Sequence, residues 1–176
     1  MRYCFRSDWL AAGALCGAVV IALALRLPHL DHRPMHNDEA NQAYKAGILM
    51  DTGSYRYDPV EHHGPTLYYL TLPGAYVQAG GRFADTTVAT YRLVPVFFSI
   101  VVILLLWGVR DGLGRTGVVV AGCLTAVSPV MVYFSRFYIQ EMLLVCFTFA
   151  LLLSLWRYHR CPGVGWAIAI GVSAGL

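Results

Sequence analysis

Two adjacent carboxylic acids, Asp38 and Glu39, follow the first apolar stretch of the chain, and His36 lies just before them. A carboxylate can accept a proton from a hydroxyl group, so the pair could supply a general base for a group transfer. His36 and Asp38 could also help hold a divalent cation such as Mg²⁺ or Mn²⁺, because imidazole and carboxylate groups suit several metals. The structural alternative is a helix start, where the helix dipole favours carboxylates in the first turn.

A second set of polar residues comes much later, where Arg136 and Gln140 precede Glu141. Glu141 is the only acid after Asp111, and apolar stretches flank it. An ionisable residue near a membrane is a candidate functional residue, and the planar guanidinium of Arg136 suits an anionic ligand. The structural alternative is an ion pair between Arg136 and Glu141 that ties two helices together.

A third set combines His62 and His63 with Glu61. These side chains could contact a substrate or a metal, and the alternative is a solvated cluster in a loop. The segment 28–87, which contains this cluster and the acidic pair, holds seven of the ten acids and five of the six histidines. Because loops carried by a rigid scaffold often contain binding and catalytic residues, we expect the function to be concentrated in this segment.

The composition indicates that a membrane positions these residues. Of the 176 residues, 57% are hydrophobic and 13% are charged, whereas an ordinary soluble domain is about 45–50% apolar and about 25% charged. The net charge of +3 is too small for a nucleic-acid-binding protein, so we expect no nucleic-acid partner. The five cysteines lie in or beside apolar stretches, which argues against a disulfide framework.

The apolar residues fall into blocks that are long enough to cross a bilayer, which takes about 17–25 residues. We predict an all-α, polytopic bundle of transmembrane helices with spans at about residues 9–27, 90–109, 116–135, 139–156 and 164–176. The last block has thirteen residues, which form about 20 Å of helix against a hydrocarbon core of about 30 Å. We therefore expect residues 1–176 to be a single transmembrane domain, cut from the N-terminal part of a longer protein.

The basic residues of the short loops predict the orientation. If the N-terminus is cytoplasmic, the positive-inside rule is satisfied by the arginines that flank the spans, namely Arg2, Arg6, Arg110, Arg115, Arg157 and Arg160. The segment 28–87 is then an extracytoplasmic loop. A cleaved signal peptide is the alternative for the first span, because a basic start and an apolar run precede Ala22-Leu23-Ala24, although the length of the run favours an uncleaved anchor.

We predict two short amphipathic helices in this extracytoplasmic loop. Asn37 can cap the first helix, apolar residues then recur at helical spacing, and the helix ends at about residues 51–53. The second helix opens at Pro65, since proline is favoured in a first turn, and runs to about Leu72. Both helices are too short to span, so they lie along the interface or pack on the bundle.

Three motifs resemble the GT-C glycosyltransferases, which are polytopic enzymes that use polyprenyl-phosphate-linked sugars. The first resembles the first-loop acidic motif of the family, especially that of the branch of protein O-mannosyltransferases and aminoarabinose transferases. It consists of Arg33-Pro34-Met35-His36-Asn37-Asp38-Glu39-Ala40. The prokaryotic flippase-activity-associated membrane proteins of that branch are similar to Tyr57-Asp58-Pro59-Val60-Glu61-His62-His63-Gly64-Pro65-Thr66-Leu67-Tyr68-Tyr69. The second-loop motif of the branch looks like Ser135-Arg136-Phe137-Tyr138-Ile139-Gln140-Glu141. The resemblance covers nearly the whole chain but only the N-terminal part of the family's length.

The resemblance implies roles for individual residues, with three acids in catalysis. Asp38 would be the general base on the acceptor hydroxyl or a ligand of an assisting metal, Glu39 would support it, and Glu141 would be a second acid. Arg136 would face the phosphate of the donor, where a guanidinium can make two parallel contacts. Further substrate contacts would come from Gln140, His62, His63, Tyr57 and Tyr138.

The implied function is that of an integral membrane glycosyltransferase in the plasma membrane of a prokaryote. It would move a sugar from a polyprenyl-phosphate-linked donor to a glycan, lipid or protein acceptor on the extracytoplasmic side, and a single displacement would invert the anomeric centre. The alternatives are a flippase or transporter for lipid-linked sugars and a non-catalytic membrane subunit. A transporter would place ionisable residues in mid-span, whereas here the acids gather at the outer interface, which favours the transferase.

Overall fold

The computed structural model describes residues 2–57, 60 and 64–176, and within these ranges it describes the side chains from residue 8 onward. Every regular element in this described part is a helix. Three helical segments are long and apolar enough to cross a membrane, namely Asp8–Arg26, Val88–Val127 and Glu141–Arg160. These features confirm the predicted all-α bundle of membrane helices.

The α-helices follow one another along the described chain as α1 (Arg2–Arg26), α2 (Asn37–Thr52), α3 (Thr66–Ala79), α4 (Val88–Leu105), α5 (Arg110–Val127), α6 (Pro129–Ser135), α7 (Glu141–Arg160) and α8 (Val164–Gly175). Two short 3₁₀ helices, Phe83–Asp85 and Leu106–Val109, precede α4 and α5. The long apolar segment that begins with α4 therefore contains a second helix, α5, which is joined to it by a 3₁₀ turn.

Helices α1 and α5 run parallel to each other. At one end Arg115 Nε donates to Asp8 Oδ1 over 2.6 Å, and at the other end Arg26 Nη1 donates to the carbonyl of Ala126 over 2.7 Å. Helix α4 runs the opposite way, because Arg92 near its start donates to backbone carbonyls that follow the end of α1. Helices α4 and α5 are therefore two antiparallel passes.

Helix α7 ends where α5 begins. Arg157 and Arg160, in the last turn of α7, lie 3.5 and 3.4 Å from the carboxylate of Asp111. Arg110 and Arg115 lie at the same end, beside the start of α5. The fold thus gathers four of the arginines used for the orientation at one end of the bundle, and the compartment that this end faces stays a prediction.

The apolar block predicted at residues 116–135 is divided at Ser128. Pro129 has no backbone N–H and restricts the conformation of the residue before it, so α5 ends before Ser128 and α6 begins at Pro129. Ser128 then caps α6, because its hydroxyl accepts the N–H of Met131 at 3.5 Å. The break gives the residues that lead into the second-loop motif a short helix of their own.

The two loop helices, α2 and α3, pack on the bundle. Helix α3 continues to Ala79 instead of ending near Leu72, since its packing against α2 and α4 compensates for the hydrogen bond that Pro73 cannot donate. One buried cluster joins residues of α2, α3, α4 and the second loop, including Ala46, Leu67, Tyr68, Tyr91 and Tyr138. The loop helices are therefore held by tertiary contacts at the end of the bundle opposite Asp111.

The start of α2 is a capping box, but its N-cap is His36 and not Asn37 as predicted. The Nδ1 atom of His36 accepts the N–H of Asp38 at 3.3 Å, and the carboxylate of Glu39 accepts the N–H of His36 at 3.1 Å. Two backbone donors that a helix start leaves unpaired are satisfied in this way. The acidic pair is consequently held in a defined first turn.

Candidate functional site

Glu39 lies at the centre of the site and has no exposed surface. Its Oε1 accepts hydrogen bonds from Arg92 Nε at 2.8 Å and from the N–H of Tyr138 at 3.0 Å. Its Oε2 accepts from Arg92 Nη2 at 2.9 Å, Arg33 Nη2 at 3.0 Å and the N–H of His36 at 3.1 Å. Because both oxygens are saturated by donors from distant parts of the chain, Glu39 joins these segments instead of presenting a free carboxylate to a ligand.

The charge of Glu39 is stabilised by these donors. Burial by itself raises the pKa of Glu39, but the hydrogen bonds from Arg92, Tyr138 and His36 outweigh burial and bring the pKa below its ordinary value of 4.5. Glu39 is therefore ionised at neutral pH. A buried charge is tolerated when it is both paired and hydrogen-bonded, and Glu39 meets both conditions.

Arg92 is the buried cation of this pair, with 1% of its surface exposed. Besides Glu39, its guanidinium binds the carbonyls of Leu30 at 2.6 Å, Arg33 at 2.9 Å and Pro34 at 3.2 Å. It thereby fixes the segment that connects α1 to α2. Arg92 was not among the predicted site residues, although a signal was present, since it is the only charged residue in the apolar stretch 88–109.

Asp38 is the accessible acid of the predicted pair. Its side chain is 66% exposed, and its Oδ2 atom lies 3.3 Å from Nδ1 of His36. Its position in the first turn of α2 also satisfies the helix dipole. Because Glu39 anchors the same turn, the backbone of Asp38 is held in place while its carboxylate stays open to a ligand.

His36 and Asp38, the predicted metal pair, are neighbours, but they do not form a full ligand set with other described residues. Residues 8–57, 60 and 64–176 contain no group of three His, Cys, Asp or Glu side chains placed to hold a metal ion. In addition, Nδ1 of His36 already accepts the N–H of Asp38. The described donors therefore fit a divalent cation poorly, and we derive no chemical step from one.

Arg136 lines a cavity of about 510 Å³ between the end of α1, the start of α4 and α6. Its Nη2 atom donates to the carbonyls of Pro28 at 2.7 Å and His29 at 3.2 Å. Arg33 and Arg92 line the same cavity, together with apolar side chains from α1, α5 and α6. The cavity thus combines three guanidinium groups with an apolar wall.

Arg33 connects this cavity to Glu39. Its side chain is 43% exposed, and its guanidinium lies over the rings of Phe137, at 4.6 Å, and Tyr133, at 5.6 Å, while it also donates to Glu39. These cation–π contacts and the ion pair hold the guanidinium from two sides. Arg33 belongs to the first-loop motif, but the sequence assigned it no role.

The other second-loop residues separate in space. Tyr138 has no exposed surface, and its hydroxyl lies 2.6 Å from that of Thr71. Burial raises the pKa of the Tyr138 hydroxyl, which is neutral and part of the core. Gln140 donates to the carbonyl of Gly64 at 3.2 Å, and with the exposed Glu141 it lines a different cavity of about 550 Å³.

An ion pair between Arg136 and Glu141 was the structural alternative for these two residues. It is not among the ion pairs of the described part. Tyr57 is exposed and lines a third cavity on α2. His62 and His63, predicted as substrate contacts, lie outside the described residues. The structure therefore joins Glu39 to Arg33 and Arg92, with His36 and Asp38 next to Glu39 at the start of α2. It places Glu141, Gln140 and Tyr57 elsewhere on the surface.

An all-α membrane bundle with a cationic, partly apolar cavity is suited to binding an anionic, lipid-linked ligand. A family model described as dolichyl-phosphate-mannose-protein mannosyltransferase matches residues 73–176, and the chain belongs to this family of membrane glycosyltransferases, which use lipid-linked sugar donors. The matched region contains Arg92, Arg136 and Glu141, whereas the acidic pair of α2 precedes it. Comparison with curated proteins and with solved structures found no match.

Proposed function

We propose that the full-length protein transfers a sugar from a polyprenyl-phosphate-linked donor to a hydroxyl group of an acceptor on the extracytoplasmic side of a prokaryotic plasma membrane. The observation that carries the proposal is the link between an exposed acid and a cationic cavity. Asp38 is adjacent to Glu39, and the arginine partners of Glu39, Arg33 and Arg92, also line the cavity that contains Arg136. A base and an anion site are thus supported by one buried ion-pair network.

The charge of the cavity supports binding of the donor phosphate. Arg33 and Arg92 pair with the single carboxylate of Glu39, and Arg136 lines the same cavity without an acidic partner in the described part, which leaves a surplus of two positive charges. Guanidinium groups suit phosphate because their planar donors can make parallel contacts. The apolar part of the wall comes from the adjoining ends of α1, α5 and α6 and suits a polyprenyl chain.

The proposed reaction is a single displacement. The acceptor oxygen forms a bond to the anomeric carbon, the bond from that carbon to the phosphate oxygen breaks, and its electron pair leaves with the phosphate. Asp38 accepts the proton of the acceptor hydroxyl, and the arginines stabilise the departing anion. Attack opposite the leaving group inverts the anomeric centre.

The remaining predicted residues have secondary places in this proposal. Glu141 and Gln140 would contact substrate at the mouth of the cavity that they line. Tyr138 would have an indirect role, because its backbone N–H donates to Glu39 and its buried side chain holds that N–H in place. With the proposed cytoplasmic N-terminus, the site lies on the extracytoplasmic side of the membrane, where the lipid-linked donor would present its sugar.

The proposal is tested with the full-length protein in proteoliposomes that contain a polyprenyl-phosphate donor with a labelled sugar. We expect transfer of the label to an acceptor, with inversion of the anomeric configuration in the product. Movement of intact donor between leaflets without any transfer would instead support the flippase alternative. A product with retained configuration would contradict the single displacement.

The role of Arg136 gives a separate prediction. Replacing Arg136 with Gln is expected to raise the KM for the donor at least about tenfold, because a hydrogen bond to a charged group contributes about 1.5–3 kcal/mol. Arg136→Lys keeps the charge but loses the paired donors, so it should restore only part of the loss. The measurement is the dependence of initial transfer rate on donor concentration.

The matched control for this prediction is Arg82→Gln. Arg82 is an exposed arginine that pairs with Asp85 and does not line the cavity. We expect wild-type kinetics for this variant. A donor KM that is the same in Arg136→Gln as in the control would remove Arg136 from the donor site.

A further inference from the structure

A cavity of about 550 Å³ lies on the C-terminal half of α2 and the turn that follows it. The reaction proposed above makes no use of it. Its described lining combines cationic, phenolic and hydroxyl side chains, including Lys45, Thr52, Ser54, Tyr55, Arg56 and Tyr57. This composition is polar and aromatic, unlike the apolar wall of the arginine-lined cavity.

The floor of this cavity, which we call the α2 cavity, is held in a defined conformation. Gly53 ends α2 with φ = 68°, a left-handed conformation that glycine adopts without steric cost. The hydroxyl of Thr52 donates to the carbonyl of Ile48 at 2.7 Å and accepts the N–H of Ser54 at 3.3 Å. The ring of Tyr55 packs against a buried tyrosine ring with centroids 5.6 Å apart. The turn is therefore anchored to the core.

The chemistry of the α2 cavity matches an acidic sugar. Lys45 and Arg56 are basic side chains, and both can bind a carboxylate or a phosphate. The rings of Tyr55 and Tyr57 offer apolar faces against which the C–H faces of a sugar ring can pack. The neighbouring hydroxyl groups of Thr52 and Ser54 can form hydrogen bonds with sugar hydroxyls.

The position of the α2 cavity connects it to Asp38. Lys45 follows Asp38 by seven residues, which is almost two full turns, so the two side chains lie on the same side of α2. At about 1.5 Å per residue, their backbones are about 10 Å apart along the helix axis. A short oligosaccharide lying along this side of α2 reaches from the cavity to the exposed carboxylate.

We infer that the α2 cavity is an acceptor site and that the acceptor is an acidic glycan. Its carboxylate or phosphate lies between Lys45 and Arg56, one of its sugar rings packs on the exposed ring of Tyr57, and its accepting hydroxyl lies near Asp38. The acceptor role of the α2 cavity rests on the proposed function, but ligand binding to the cavity is measurable without any sugar transfer.

The test is equilibrium binding of two acidic probes to the full-length protein in detergent, a short oligogalacturonate and a phosphorylated mannose oligosaccharide. At least one acidic probe is expected to bind, and its uncharged counterpart, the methyl ester or the dephosphorylated sugar, is expected to bind at least about tenfold more weakly. Lys45→Gln with Arg56→Gln should weaken binding of the acidic probe about tenfold or more. The affinity should also fall with added salt, because the contacts are partly exposed.

Three further variants distinguish binding in the α2 cavity from a general effect of positive charge and from a loss of folding. Arg82→Gln removes an exposed cation outside the α2 cavity and should bind like wild type. Tyr57→Phe should retain most of the affinity and Tyr57→Ala should lose it, since the ring face and not the hydroxyl makes the contact. Thermal unfolding in the same detergent shows whether each variant is folded.

Several outcomes would overturn the inference. These are equal affinity for the charged and uncharged probes, no effect of the double variant, or no binding of either acidic probe. If the acidic probe binds as expected but no sugar transfer is found, the α2 cavity is a binding site for acidic glycans and the proposed function is wrong. If transfer occurs with an acceptor that does not bind this cavity, the inference fails and the proposed function stands.

Discussion

Replacing Asp38 with Asn in the full-length protein is expected to lower the rate of sugar transfer by about 10²–10⁴-fold, which is the usual contribution of a general base. Asn keeps the size of the side chain and its place in the first turn of α2, but its amide cannot accept the proton of the acceptor hydroxyl. Because the side chain of Asp38 is 66% exposed and its ion-pair partner His36 is 60% exposed, the variant should fold. The measurement is kcat for transfer from the labelled donor in proteoliposomes.

The control for this prediction is Asp51→Asn on the same helix. Asp51 is also exposed and lies near the other end of α2, where its carboxylate accepts a long hydrogen bond from the N–H of Phe83 at 3.4 Å. We expect this variant to transfer sugar at the wild-type rate. Equal rates for Asp38→Asn and Asp51→Asn would show that Asp38 is not the base, and would favour a non-catalytic subunit or a base elsewhere.

Glu39→Gln is expected to cost about 3–5 kcal/mol of unfolding free energy, because it leaves the buried guanidinium of Arg92 without its counter-ion. Gln has the same shape, so the loss comes from charge and not from packing. The coupling between the two residues is measurable, since Glu39→Gln together with Arg92→Gln should be less damaging than the sum of the single variants. Unfolding in detergent, followed by denaturant titration, measures both quantities.

An exposed ion pair provides the comparison. Arg82 and Asp85 are 78% and 44% exposed, so Asp85→Asn should change the unfolding free energy by no more than about 1 kcal/mol. A similarly small effect of Glu39→Gln would show that the buried network does not hold the loop helices. Because the two pairs lie at the same end of the bundle, a general effect of detergent would affect both.

The pH dependence of stability follows from the lowered pKa of Glu39. Its contribution is fully present above the ordinary value of 4.5 and is lost as the pH falls through the lower pKa of the folded state. The difference in unfolding free energy between wild type and Glu39→Gln should therefore shrink at acidic pH. A difference that stays constant down to strongly acidic pH would contradict the depressed pKa.

The amino-acid sequence by itself determined the helical class and the location of the apolar segments. In a lipid environment each span must satisfy its own backbone hydrogen bonds, so hydrophobic length alone indicates a helix. The pair Asp38 and Glu39 was also recognisable at a helix start, because capping depends on neighbours within one turn. Where local rules compete, prediction was less exact, as Pro73 within α3 and His36 as the N-cap demonstrate.

Only the tertiary structure decided which of the two acids is available for chemistry. Glu39 is buried against Arg92, which lies 53 residues later, and against the backbone of Tyr138, which lies 99 residues later, while Asp38 stays exposed. The same long-range packing places Arg136 in the arginine-lined cavity and Glu141 in another one. Adjacent residues in a helix differ by about 100° in direction, so the partners of each face depend on segments that no local pattern specifies.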